Sequence, residues 1–203
     1  MFVQVIQGRV EDPKAVQAAV DQWVADVSPG AIGWLGSTGG VTDDGRFIAV
    51  IRFTDADAAR RNSERPEQDQ WWKDTSALFA DEPQFTDSED VTVDTPGDPA
   101  KATFVQVMRG TGRDPDRAKE LMAQNPEVMA AFRPDILGSV SATSDGGTAW
   151  TMAIFFTSEA DAREGEKKEP PPQMKAQMEE LGSLMTSEPV FFDLHDPWMH
   201  GPS

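Results

Sequence analysis

The chain contains no cysteine and no tyrosine, and its two histidines, His195 and His200, both lie near its end. Without cysteine there is no disulfide, no thiolate nucleophile and no cysteine metal site. Without tyrosine, no step can use a phenolic hydroxyl. Basic residues are also scarce. Lys and Arg number 18 against 35 Asp and Glu, a formal net charge of -17 over 203 residues, and no Lys/Arg-rich run stands out. Such a surface repels phosphate backbones and anionic lipid, so neither nucleic acid nor a membrane is an expected partner. No stretch approaches the ~18 apolar residues of a membrane helix, and the N-terminus reads as a strand rather than a signal peptide, so a cytoplasmic location is expected. Phosphate loop, nucleophile elbow and dinucleotide fingerprint are missing too; Gly36-Ser37-Thr38-Gly39-Gly40 falls in a strand and turn. Asp193, His195, Asp196 and His200 lack the spacing of a recognised metal pattern, and no metal site is expected.

What the chain does have is a duplication. Phe2-Val3-Gln4-Val5 recurs as Phe104-Val105-Gln106-Val107, followed at equal offsets by Gly8 and Gly110 and by Asp12-Pro13 and Asp114-Pro115. Each tetrad reads as a strand, and each Asp-Pro as an N-cap with proline at the first helical position. Val16, Ala19, Val20, Trp23, Val24 and Val27 then form one helical stripe, stopped by Ser28-Pro29-Gly30. Ala31 to Thr38 and Arg46 to Phe53 read as strands around the turn Thr42 to Gly45. Thr54 and Asp57 resemble a capping pair opening a second helix, which Pro66 interrupts, and Gln84 to Thr86 supply a short last strand. The second copy repeats this order, with its first helix split at Asn125-Pro126 and a Pro170-Pro171-Pro172 loop. Strand, helix, strand, strand, helix, strand is the ferredoxin-like βαββαβ pattern, in an α+β fold. The expected layout is a first repeat over 1–88, an acidic linker over 89–103, a second repeat over 104–196 and a C-terminal tail over 197–203.

A Phe-Val-Gln-Val strand, a helix, a Gly-Ser strand, a hairpin and a Trp-bearing helix ending in Glu-Pro before a last strand resemble the dimeric α+β barrel superfamily. Within it they look most like the antibiotic-biosynthesis-monooxygenase-like domains, and the resemblance covers both halves. It implies two tandem ferredoxin-like repeats forming an intrachain pseudo-dimeric α+β barrel, as a monomer or a homodimer. It further implies a small apolar or aromatic ligand, no cofactor, and cofactor-independent monooxygenase activity on a phenolic or polyketide-like compound. A non-enzymatic ligand-binding or structural barrel is the alternative. Haem-degrading relatives use a helix histidine as the iron ligand, which this chain lacks.

Side chains alternate across a strand. Compact Val3 and Val5, with Val105 and Val107, suit helix packing, which leaves Phe2, Gln4, Phe104 and Gln106 for the barrel interior, together with Ile6 and Met108. On the third strands Ile48, Val50 and Arg52 in the first copy, and Trp150, Met152 and Ile154 in the second, are expected to join them; from the second strand comes Trp34 or Leu35. Gln4 and Gln106 can equally satisfy one another or the backbone. The resemblance points to Asn62, Trp71 and Arg52 as a polar edge that could hold a substrate anion. Each also has an ordinary reading: Asn62 as an exposed helix residue, Trp71 as core, Arg52 as a solvated or paired strand-end charge.

Overall fold

The computed structural model describes residues 1–202. The first copy runs β1 (Phe2–Arg9), α1 (Pro13–Gln22), β2 (Trp34–Val41), β3 (Arg46–Phe53), α2 (Ala56–Ser63), α3 (Pro66–Ser76) and β4 (Gln84–Ser88). After β5 (Asp90–Asp94) the second copy follows as β6 (Phe104–Thr111), α4 (Pro115–Met122), α5 (Pro126–Phe132), β7 (Ile136–Ser144), β8 (Ala149–Phe156), α6 (Glu159–Glu166), α7 (Pro172–Leu184) and β9 (Val190–Leu194), and then β10 (Trp198–His200). Two five-stranded sheets result, in the orders β10-β2-β3-β1-β4 and β5-β7-β8-β6-β9. The α+β, ferredoxin-like expectation therefore holds in both copies. Met1–Val91 with the residues from Asp196 on form one compact unit, and Thr92–His195 the other. Two short strands lie in segments read as linker and tail: β5 extends the second sheet, and β10 pairs with β2 at the edge of the first.

Local chemistry explains the element starts. The Asp12 carboxylate accepts from the backbone N–H groups of Lys14 and Ala15, both at 3.1 Å, at the start of α1. That helix continues as a wide π turn, Trp23–Val27, which turns both of its end residues into the core. The cap of α2 is Asp55, accepting from Ala58 N–H at 2.7 Å, rather than the expected Thr54; the Thr54 hydroxyl donates to Asp55 instead. Pro66 opens α3 and Asn125-Pro126 divides α4 from α5, both as the sequence indicates.

Strand register corrects the expected faces. Phe2, Gln4 and Ile6 stand opposite Phe53, Ile51 and Ala49, whereas Val3 and Val5 stand opposite Arg52 and Val50. Directly paired residues share a face. Phe2 packs with Trp23, Val27, Trp34 and Phe53, so its face is the one the helices cover. Ile48, Val50 and Arg52 lie on the other face, with Val3 and Val5. In the second copy Phe104 and Gln106 pair with Phe156 and Ile154, and Phe104 packs on Phe156 and Ala162 of α6, again toward the helices. Residue size could not indicate this, because Val3, Val5, Phe2 and Ile6 are all buried.

Candidate functional site

Between the helix-covered face of the first sheet and helices α1 and α3 lies a cavity of about 290 Å³, walled largely by aromatic rings. Trp23, Trp34, Trp71, Trp72 and Trp198 all line it, and small residues make its floor: Gly39 on β2 and Ala49 on β3. Every residue lining it belongs to the first unit.

A β-bulge places Trp34 there. Trp34 stands opposite Phe53 and Gly36 opposite Arg52, so Leu35 is an extra residue in the strand. The insertion brings Trp34 onto the same face as Ser37 and Gly39; strict alternation would set it on the other. Gly36 permits this with φ of 134°, a conformation other residues rarely adopt. The Trp34 ring then meets Trp23 edge-on, with centroids 4.9 Å apart.

Most polar groups around the cavity are satisfied within the protein. The Trp23 indole N–H donates to Gln68 Oε1 at 2.7 Å, and the Trp71 indole N–H to the carbonyl of Ala19 at 2.8 Å. Asn62 is buried, at 4 % exposure, so it is not a surface residue. Its Oδ1 accepts from Ile32 N–H at 3.2 Å and from Arg65 Nη1 at 3.1 Å, while its Nδ2 donates to Gln68 only at 3.5 Å. Two buried atoms on lining residues have no hydrogen-bond partner among the described residues: the indole nitrogen of Trp34 and Nδ1 of His200. Leaving such a group unpaired costs about 1–3 kcal/mol, so each marks a place where a ligand atom would be welcome.

The residues singled out from the sequence distribute unevenly. Gln4, Asn62 and Trp71 line the cavity, and Phe2 belongs to the core cluster beside it. Arg52 is on the opposite face of the sheet, so it does not join Asn62 and Trp71. Burial lowers its guanidinium pKa from the ordinary value, and no carboxylate pairs with it among the described residues. Gln4 and Gln106 each donate to an aspartate of their own unit, Asp87 at 3.0 Å and Asp193 at 2.8 Å. Phe104, Gln106, Trp150 and Met152 are in the second unit. By strand register Met152 stands where Ala49 does and Trp150 where Phe47 does, and the Trp150 ring lies directly over Gly110. Trp34 was one of two register-dependent options. His200, in contrast, had no signal beyond its place in a Pro-containing tail.

No protein-family model matches the chain, and no curated protein sequence does. Solved structures do resemble it. A protein from Lactobacillus acidophilus, described as a putative monooxygenase, superposes with a TM-score of 0.72 over 98% of each chain at 13% identity. Another so described, from Fusobacterium nucleatum, gives 0.75 over 98% of this chain and 94% of its own at 11% identity. An anthrone oxidase-like protein gives 0.68 over 98% and 92% at 10% identity. At these identities the likeness is one of fold, and it extends over both copies at once: the chain has the tandem ferredoxin-like α+β fold of these proteins.

Proposed function

We propose that the first unit binds a small planar aromatic compound bearing a phenolic or carbonyl oxygen, and that it oxygenates this compound with molecular oxygen and no cofactor. The observation that carries the reading is the aromatic cavity with an unpaired indole N–H in its wall. A volume of about 290 Å³ sits at the lower end of ligand pockets and suits two or three fused rings. Rings of this kind stack on Trp23 and Trp71, while an oxygen accepts from Trp34 and draws the loosely held amide of Asn62 away from Gln68. Both donors strengthen as charge develops on that oxygen, which favours the carbanion over the neutral ligand. The chemistry balances with dioxygen alone. A CH₂ group loses a proton, the carbanion adds O₂ to give a hydroperoxide, and that collapses to a carbonyl and water. The descriptions of the similar folds, two as putative monooxygenases and one as anthrone oxidase-like, support this reaction class.

Aerobic incubation with a panel of anthrone- and quinol-type phenols tests the reading, with quinone formation and oxygen uptake followed together. Stoichiometric consumption of oxygen with quinone appearing is expected. Tight binding of the same panel without turnover would instead mean a non-enzymatic ligand-binding protein, and no binding at all would sink both.

A further inference from the structure

We propose that His200 is the proton acceptor of this cavity, carried into it by the short strand β10; the assignment rests on the oxygenase reading above. Three observations converge on it. Register puts His200 opposite Ser37, on the face that lines the cavity. Its Nδ1 is buried without a partner among the described residues. Its other nitrogen, Nε2, lies 3.9 Å from the Asp21 carboxylate of α1. Nδ1, the nitrogen with no partner among the described residues, is the one left to take a proton from a ligand.

The placement suits the proposed ligand. Trp34 and Ser37 are two rungs apart on the β2 ladder, opposite Phe53 and Ile51, so their backbones are separated by roughly 7 Å along the strand, and His200 sits one strand spacing of ~4.8 Å to the side. A fused-ring ligand whose oxygen meets Trp34 can present its acidic C–H near His200. The proton moves from that carbon to Nδ1 while its electron pair stays on the ligand as the carbanion. It returns to the peroxide oxygen once O₂ has added. A second proton then passes from the same carbon to Nδ1 while its electron pair forms the C=O bond and the O–O bond breaks; the departing hydroxide takes that proton to become water, so the imidazole ends unchanged. Other charged groups nearby are less suited. Asp69, which also lines the cavity, is held by Lys73 at 2.5 Å on an exposed rim. Arg52 lies against Gly36 beside the His200 backbone carbonyl and cannot accept a proton.

The test uses the full chain and 1,8-dihydroxyanthrone. Binding is read by tryptophan quenching and ligand ionisation by the anion absorption band, both without oxygen at pH 7; turnover is read in air. His200→Gln is expected to bind within threefold of the wild type, to lose the anion band, and to slow turnover by about 100-fold or more. Glu127→Gln, at an exposed position on α5 of the second unit, should change none of the three. In the unaltered protein the two histidines give separable ¹⁵N side-chain signals, assigned with His195→Gln, and the probe should move that of His200 toward imidazolium. The assignment fails if His200→Gln ionises and turns over the probe like the wild type, if it loses binding as much as turnover, or if the His200 signal does not respond. Wild-type protein that does not bind the probe overturns the functional reading and this assignment together. Wild-type turnover with an unaffected His200→Gln overturns the assignment alone.

Discussion

Trp34 and Asn62 both line the cavity, and removing them should have opposite consequences. The indole N–H of Trp34 has no partner among the described residues, so Trp34→Phe removes a desolvated donor. Stability should hold or rise slightly, while affinity for an oxygen-bearing aromatic falls about tenfold, or ~1.4 kcal/mol, in a quenching titration. Asn62 instead ties Ile32, Arg65 and Gln68 together. Asn62→Ala should lower the unfolding free energy by about 2 kcal/mol in urea, so any loss of activity has to be compared at equal folded fraction. The contrast also shows what was legible at this scale. Asn62 and Trp71 could be picked out through the family resemblance, but not that Trp71 spends its N–H on Ala19 or that Asn62 is buried. Those facts depend on partners far away in sequence. His200 was legible only as one of two late histidines, because three residues of strand give almost no periodicity to read.

Caps, turns and helix breaks are local, and the sequence showed most of them. Two caps also predict a response to acid. The backbone N–H of Ala58 holds the Asp55 carboxyl below the ordinary carboxylate range, and the Ser158 and Thr157 hydroxyls do the same for Asp161 in α6. A carboxyl whose pKa is lowered by folding adds stability above its unfolded value, near 4, and that contribution fades as pH falls through the folded value. Helical circular dichroism should therefore decline at the starts of α2 and α6 below about pH 4. Asp55→Asn, which still caps but does not titrate, should remove the part due to α2. The register of β2 was much harder to read. One extra residue, Leu35, exchanges the faces of Trp34 and its neighbours, and an alternating pattern carries no mark of it. Gly36→Val tests the bulge. A Cβ there would come within 2.9 Å of both the Arg52 guanidinium and the His200 carbonyl, so β10 should loosen and the segment after Leu194 should become protease-sensitive.

At the scale of the whole molecule, the duplication specified the scaffold and the differences between the copies locate the cavity. Ala49 against Met152 is the sharpest of these differences, and it emerges only once the true register shows which residues correspond. Ala49→Met should fill the first-unit floor and abolish ligand binding while leaving the thermal midpoint within a few degrees. Met152→Ala in the second unit should leave binding untouched and cost about 1–2 kcal/mol of stability, since Met152 is only half-buried. The net charge of -17 acts on the chain as a whole. Self-repulsion is screened by salt, so the midpoint should rise by roughly 3–5 °C between dilute buffer and 0.5 M NaCl.

β10 completes the edge of the first sheet and supplies Trp198 and His200 to its cavity, yet about 110 residues of chain separate it from β4. At ~5–20 residues per second of synthesis, the first unit waits on the order of 5 to 20 s for its final strand. During that interval β2 is a bare sheet edge, open to pairing with another nascent chain, and the cavity lacks one wall. The cavity of the first unit is thus walled only after the whole second copy has been made, and the yield of folded protein should depend on how well cells shield that edge until translation reaches residue 200.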